Sequence, residues 1–227
     1  MDEQLDRVRR AYDLTVKQFR NGTDPLANIP DELKNSPFFR SMVVERDFLN
    51  SAAADVREFL APEPGMKFLD AGCSANLVNY RLDKWPSTFY GVDISPALIN
   101  AMKGFVNREK ITIGGLEVAE ISRLPFDDNF FDIATVIGVL EYCTLEYIGT
   151  ALAELNRVLK DGSLAVLDMP NQDHPHVADM QKLEEYLGRP NIINSRAEFE
   201  ALLKPLFSAE RIDDSRVMIK YFVRTVK

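Results

Sequence analysis

The chain has 227 residues, of which 46% are hydrophobic, so it is long enough to form one α/β domain with its own core. Its formal charge of −8 argues against a protein that works mainly by binding the phosphate backbone of nucleic acids, so no nucleic-acid partner is expected. No apolar run reaches about 18 residues and residues 1–6 are polar and acidic, so we expect neither a membrane span nor a signal peptide.

The first 60 residues read as helical. Apolar side chains recur at three- and four-residue steps over residues 2–20, which predicts a helix that Asn21-Gly22 ends. Residues 23–37 contain three prolines and read as a loop. A second, longer helix is predicted over residues 38–60, so residues 1–60 form a helical layer against whatever follows.

A strand, a glycine turn and a helix then follow in order. A short apolar strand at 66–69 ends in Asp70, and the turn through Gly72 leads into a helix. This is the opening of a nucleotide-type βαβ unit, in which a glycine lets the backbone approach a ligand closely. A second strand at 88–92 ends in Asp93, at the spacing expected for an acid that binds a ribose.

The acid in this turn narrows the class of ligand. Asp70 stands where a dinucleotide would place its pyrophosphate, and a carboxylate there repels phosphate. It suits a ligand that carries an ammonium or a sulfonium instead. An NAD-dependent oxidoreductase is therefore disfavoured, although the glycine turn and the acid alone are also compatible with a plain α/β loop.

The rest of the chain alternates strands and helices. Ser95-Pro96 starts a helix, a third strand lies within 111–119, an apolar fourth strand spans 133–137, Thr144 caps the next helix, and a fifth strand spans 163–167. Residues 160–162 are expected to form the turn before that fifth strand. A long excursion occupies 170–207, and two strands are expected within 208–227.

Cysteine usage points to a reducing compartment. The two cysteines, Cys73 and Cys143, are too few for a disulfide framework, and we interpret them as reduced thiols of a cytoplasmic protein. The two histidines, His174 and His176, are far from both in sequence, so no metal site is expected.

Two of these motifs carry a family resemblance. The segments at 69–73 (LDAGC) and 90–95 (YGVDIS) resemble the first two motifs of the class I S-adenosylmethionine (SAM) dependent methyltransferases. The resemblance extends through 120–126, 131–142 and 152–168 and covers roughly residues 65–170.

The resemblance implies a fold, a cofactor and a class of acceptor. The fold is an α/β, Rossmann-like, doubly wound seven-stranded sheet, mostly parallel with an antiparallel C-terminal strand, in a single domain. Its parts are a helical cap at 1–60, a SAM-binding core at 65–170, a lid-like insertion at 170–207 and closing strands at 208–227. The segment at 138–142 is typical of the small-molecule branch, because it lacks the Asn/Asp-Pro-Pro-Tyr/Phe box of nucleic-acid methyltransferases.

The resemblance also assigns roles to site residues. Asp70 orients the methionine ammonium, Asp93 accepts the ribose hydroxyls, and Glu120 binds the adenine amino group. The other predicted cofactor contacts are Ala71, Gly72, Cys73, Ser74, Ile94, Ile121 and Ile137. Tyr12 and the pair Phe39-Arg40 are candidate cap contacts. Any general base is sought among Glu141, Tyr142, Asp168, His174 and His176, and no catalytic residue is assigned.

The glycine turn departs from the family pattern, which has three glycines. Ser74 and Asn76 stand at the second and third glycine positions. Asn tolerates the left-handed conformation better than most residues, so Asn76 is predicted to adopt a positive φ. This departure also supports an alternative, a non-catalytic SAM-binding sensor or partner subunit.

Overall fold

A computed structural model describes residues 3–44 and 48–227, and these residues form a seven-stranded sheet with helices on both faces. The strands are β1 Lys67–Ala71, β2 Thr88–Asp93, β3 Gly115–Val118, β4 Phe131–Val136, β5 Leu159–Pro170, β6 Phe207–Asp213 and β7 Met218–Thr225. Their order in the sheet is β3-β2-β1-β4-β5-β7-β6. The first five strands are parallel, and β7 lies antiparallel between β5 and β6. The predicted fold class is confirmed.

The helices connect these strands or precede them. They are α1 Glu3–Arg20, α2 Asp31–Lys34, α3 Pro37–Val44, α4 Phe48–Leu60, α5 Asn76–Asn79, α6 Pro96–Glu109, α7 Leu145–Val158, α8 Val177–Tyr186 and α9 Arg196–Leu203. The predicted caps form as expected. Ser95 accepts from the Leu98 N–H at 3.1 Å to begin α6, and Thr144 accepts from the Tyr147 N–H at 3.3 Å to begin α7.

Two apolar layers form the core, one on each face of the sheet. Successive strand residues point to opposite faces, so Phe68 and Leu69 of β1 pack into different layers, as do Val166 and Leu167 of β5. The strand β7 contributes to both layers and is buried over most of its length, with Tyr221, Phe222 and Val223 fully enclosed.

Several predicted limits are wrong. The residues expected to form a turn at 160–162 lie within β5, which begins pairing with β4 at Leu159 and bulges around Gly162 at φ 71°. The helix after Gly72 is a single turn, since Arg81 adopts φ 50° and no helix continues through that conformation. The predicted helix 38–60 appears as α3 and α4, and its middle, 45–47, lies outside the described residues.

A third apolar cluster joins the N-terminal segment to the insertion after β5. Ile29 and Leu33 pack with Leu183 of α8, and the partly buried Phe39 lies against them. Within the described residues, no helix has both the length and the apolar character needed to cross a bilayer.

Candidate functional site

A pocket of about 530 Å³ opens where β1, β2 and β4 end, which is where open α/β sheets bind ligands. Its floor comes from the turn after β1, from Asp93 and Ile94 after β2, and from Gly138 and Val139 after β4. The described residues that line it include an acid and three tyrosines but no Lys or Arg. The pocket therefore favours a cationic or neutral ligand over a phosphate.

The turn after β1 approaches β4 closely at Gly72. Gly72 has φ +84°, and its N–H and that of Cys73 both donate to the Val92 carbonyl, at 2.7 and 2.8 Å. A Cβ on Gly72 would lie 2.1 Å from Cγ2 of Val139. Only glycine fits, both because of the backbone angle and because Val139 occupies the space.

The prediction for Asn76 is wrong, and its neighbour takes the role. Ser74 adopts the positive φ, at 41°, whereas Asn76 begins the short helix α5. Besides Gly72, the turn has one further residue of positive φ, and it stands two positions earlier than expected. The Asn76 amide instead donates to Asp70 Oδ2 at 3.1 Å.

Asp70 is buried at the end of β1 and held by two neutral donors. Thr135 Oγ1 donates to its Oδ1 at 2.8 Å, and the Asn76 amide donates to the other oxygen. Burial raises the pKa of Asp70 to about 6 against the lowering effect of these two bonds. A nearby ligand cation would restore the ionised form.

Asp93 organises the junction between β2 and the first turn. Its Oδ2 accepts from the Ser74 N–H at 2.9 Å, and its Oδ1 accepts from the Ser95 N–H at 2.8 Å. Burial raises its pKa, and the two backbone donors oppose that shift. Each carboxylate oxygen keeps a lone pair for a ligand hydroxyl.

Only part of the predicted set of cofactor-binding residues lines the pocket. Gly72, Ser74, Asp93, Ile94 and Ile121 line the pocket. The others, Asp70, Ala71, Cys73, Glu120 and Ile137, are not among its lining residues: Asp70 and Ala71 are buried in β1, the Cys73 thiol lies beneath Gly91, Ile137 packs in the core, and Glu120 precedes the lining residue Ile121.

Helix α1 forms one side of the pocket, and the sequence predicted the helix itself and Tyr12 as its candidate contact. Leu5, Val8 and Tyr12 line it, which places Tyr12 where a cap contact was expected. Phe39 and Arg40 lie elsewhere. Phe39 packs in the third cluster, and the exposed Arg40 guanidinium donates to Asn35 at 2.9 Å.

The carboxylate of Asp13 holds α1 against the N-terminus of α6, and sequence reasoning missed this contact. Asp13 Oδ1 accepts from the Ser95 hydroxyl at 2.5 Å and from the Ala97 N–H at 3.3 Å, at the N-terminus of α6. An acid there is stabilised by the free amides of the first helical turn. No local pattern signals this contact, because its partners are more than 80 residues away.

We expect Asp13→Ala to lower the free energy of unfolding by about 0.5–2 kcal/mol, the usual cost of losing a helix cap. Asp13→Asn keeps an acceptor oxygen but loses the charge, so it should cost less. Urea titration followed by circular dichroism measures both. Equal midpoints for wild type and Asp13→Ala would show that this contact does not hold α1.

Comparison with known proteins agrees with this geometry. Residues 69–167 match the family model described as "Methyltransferase domain". Magnesium protoporphyrin IX methyltransferase from Synechocystis, solved with bound SAM, superposes with a TM-score of 0.67 at 14% identity and covers 100% of this chain and 99% of that one. Residues 69–167 therefore form a methyltransferase domain, and the chain has the fold of the class I SAM-dependent methyltransferases.

Two curated relatives of this methyltransferase domain are named as acting on small molecules. A sterol 4-C-methyltransferase of Caenorhabditis elegans is 24% identical over 196 residues, which cover 79% of this chain and 56% of the relative. A 2-phytyl-1,4-naphtoquinone methyltransferase of Nostoc punctiforme is 33% identical over 129 residues, covering 54% and 55%. The chain therefore spans about half the length of these curated relatives.

The residues present in this methyltransferase domain fit SAM, the cofactor of the family. Gly72 offers a surface without a Cβ, and the acids Asp70 and Asp93 flank the turn. These features match a ligand with a ribose, an ammonium and a sulfonium.

Proposed function

We propose that this protein transfers the methyl group of SAM to an apolar small-molecule acceptor. The observation that carries the proposal is the pocket between α1 and the ends of β1, β2 and β4, which is lined by the acid Asp93 and by no cation among the described residues. Both relatives described above are named for acceptors with apolar rings or chains, which supports the choice of acceptor class.

When bound, the cofactor supplies a methyl group that is already activated on a sulfonium. The chain's own residues bind and orient. In this proposal Asp93 accepts the ribose hydroxyls, Ile94 and Ile121 contact the adenine, and Glu120 accepts from its amino group. Asp70 pairs with the ammonium, and the carbonyl of Ile137 lies nearby. Ala71, Gly72, Cys73 and Ser74 supply the backbone surface for the methionine end.

Electrostatics and alignment then supply the rate enhancement. The acidic site attracts a sulfonium, and that attraction falls once the sulfur becomes neutral, so product release is favoured. Holding donor and acceptor in line contributes up to about 7–11 kcal/mol in favourable cases. Helix α1 excludes water from this space, since Leu5 and Val8 cover it.

A transfer assay tests the proposal directly. The protein is incubated with methyl-labelled SAM and a low-molecular-weight metabolite extract, and label is followed into products by chromatography. Asp93→Ala removes hydrogen bonds to a charged acceptor worth about 1.5–3 kcal/mol, so SAM affinity should fall about 10- to 150-fold. Binding of SAM without any label transfer would favour a non-catalytic sensor.

We further propose that the N-terminal segment and the 170–207 insertion open and close together. They are joined by the third apolar cluster, by a bond from Gln4 Nε2 to the Pro190 carbonyl at 2.7 Å, and by the Arg189 guanidinium 4.6 Å from the Tyr12 ring centre. A cover of this kind must open for ligand exchange.

Hydrogen exchange with and without S-adenosylhomocysteine (SAH) measures this coupled motion. Protection should increase in both 10–40 and 170–190, because closing either segment orders the other. A gain confined to the turns around Asp70, Asp93 and Glu120 would show that both segments are fixed packing layers.

A further inference from the structure

Three buried polar atoms without a partner lie in the turn after β4 and in the insertion bonded to that turn. Among the described residues, four buried side-chain oxygen or nitrogen atoms lack a hydrogen bond, and three of these are Glu141 Oε2 and both amide atoms of Asn191. A native fold satisfies nearly all such atoms, so each exception calls for a ligand, a water or a function.

These atoms belong to two segments that touch. Glu141 lies in the 3-10 turn Leu140–Tyr142 just after β4, and its carbonyl accepts from the Ile192 N–H at 2.5 Å. Asn191 is the residue before Ile192, in the stretch between α8 and α9. The insertion therefore brings Asn191 within one residue of a backbone hydrogen bond to Glu141.

The Glu141 carboxyl lies near Gly138, and Gly138 lines the pocket. A Cβ on Gly138 would lie 3.8 Å from Glu141 Oε1, and the Gly138 N–H donates to Asp168 Oδ1 at 2.8 Å. Glu141 and Asp168 are 7% and 4% exposed, so a buried pair of acids flanks the end of β4.

The cations around this pair are already engaged. Arg189 is bound to Glu184 at 2.5 Å, and Lys220 is bound to Asp55 at 2.7 Å. Burial, followed by the charge of Asp168, raises the pKa of Glu141 well above its usual range. Burial raises the pKa of Asp168 to about 7, against the effect of the Gly138 N–H and Lys220.

Tyrosines complete the surroundings. The Tyr142 hydroxyl donates to Glu184 Oε2 at 2.8 Å and lies 3.3 Å from the Tyr12 hydroxyl. Both tyrosine hydroxyls therefore already have hydrogen-bond partners. The acid Glu184 also faces Glu141 and opposes its ionisation. Among the described acids and tyrosines of this cluster, Glu141 keeps a buried oxygen without a partner.

We propose that Glu141 and Asn191 bind the polar end of the acceptor, and that Glu141 takes its proton. The acceptor class is an apolar molecule that presents a hydroxyl or amine hydrogen on its nucleophilic atom. This inference rests on the function proposed above, because it assigns the acceptor side of the same pocket.

The proton and electron balance of the step is simple. A lone pair on the acceptor oxygen or nitrogen forms a bond to the methyl carbon, and the electrons of the broken carbon–sulfur bond stay on sulfur. The acceptor's hydrogen passes as a proton to Glu141 Oε2. The positive charge of the sulfonium and the negative charge of the carboxylate are both lost, so charge balances.

The Asn191 amide has a different role from Glu141. Its oxygen and nitrogen offer one acceptor and two donors, so it positions a polar acceptor group without exchanging protons. Its loss should weaken acceptor binding while leaving the pH dependence of transfer unchanged.

The test compares Glu141→Gln with Ser87→Ala, which alters the remaining unpartnered buried atom, outside this pocket. The probes are methyl-labelled SAM with a low-molecular-weight metabolite extract for transfer, and SAH in calorimetry for the cofactor site. Glu141→Gln should lower label transfer by about 100-fold or more, the usual contribution of a positioned base. Its SAH affinity should stay within about twofold, and Ser87→Ala should match wild type.

Two further readouts separate a base from a structural residue. Wild-type transfer should rise with pH as Glu141, whose pKa is raised well above its usual range by burial, loses its proton, and this rise should vanish in Glu141→Gln. The variant should melt no lower than wild type, because it removes a buried acid without a partner. Asn191→Leu should raise the extract concentration needed for half-maximal transfer and keep the wild-type pH profile.

Three results would overturn the inference. If Glu141→Gln transfers label at the wild-type rate, then Glu141 takes no part in the reaction. If the variant loses SAH affinity in parallel with transfer, then Glu141 is a cofactor-binding residue. If wild type binds SAM but labels nothing in the extract, the proposed function fails first and this inference falls with it.

Discussion

Gly72→Ala is expected to destabilise the protein by about 2–5 kcal/mol and to abolish measurable SAM binding. A side chain at φ +84° costs about 1–2 kcal/mol, and its Cβ would also lie 2.1 Å from the Val139 methyl, an overlap of the kind that costs about 1–3 kcal/mol in packed sites. Relief of that overlap moves the turn on which the cofactor is proposed to lie. Thermal unfolding and calorimetry measure the two effects.

The chain offers a matched control for each half of this argument. Gly162 has φ +71°, and a Cβ added to it would have no neighbour within 4 Å, so Gly162→Ala should show the backbone cost alone. Adding Val139→Ala to Gly72→Ala removes the overlap and should restore part of the stability. If Gly72→Ala and Gly162→Ala lose equal stability, then Val139 does not pack against the turn as described.

SAM should bind about tenfold more weakly at pH 5 than at pH 7, because a cation needs the ionised form of Asp70. Burial holds the pKa of this carboxyl at about 6 in the free protein, so below that pH binding must first remove a proton. The affinity for SAM is therefore highest above pH 6 and falls as the pH drops through 6. The ligand's own ammonium stays charged at both pH values.

Asp70→Asn is the informative variant for this linkage. The Asn76 amide can turn to pair with the new side chain, so the fold should persist, while SAM affinity at pH 7 should fall roughly 10- to 150-fold as a charged partner is lost. The pH dependence should flatten at the same time. Calorimetry in two buffers of different ionisation enthalpy should detect proton release by wild type near pH 6. Absence of that release would place the ammonium away from Asp70.

Features set by neighbouring residues could be predicted from the sequence. The strands ending at Asp70 and Asp93 and the Ser95 and Thr144 caps depend on short-range patterns, and the fold class follows from the family resemblance. Residue preference assigns the positive φ of the first turn to Asn76, whereas the bonds to Val92 and Asp93 fix the turn so that Ser74 adopts it.

Contacts between distant segments could not be predicted in this way. Asp13 reaches Ser95 because α1 packs against α6, and nothing within the sequence of α1 indicates that partner. Likewise, the sequence offers Glu141 as one of several bases, and its buried, unpartnered oxygen distinguishes it from His174 and His176. These relationships depend on how the N-terminal segment and the 170–207 insertion pack against the rest of the domain.

The interior position of β7 has a consequence for synthesis on the ribosome. Residues 218–225 are translated after every other strand of this sheet, yet they fill the gap between β5 and β6 and complete both apolar layers. Until they emerge, the nascent chain presents the free edge of β5 and an unfinished interior, both of which attract other chains. The domain therefore completes its folding only after its last strand has emerged, and the interval before that is when a chaperone would matter most.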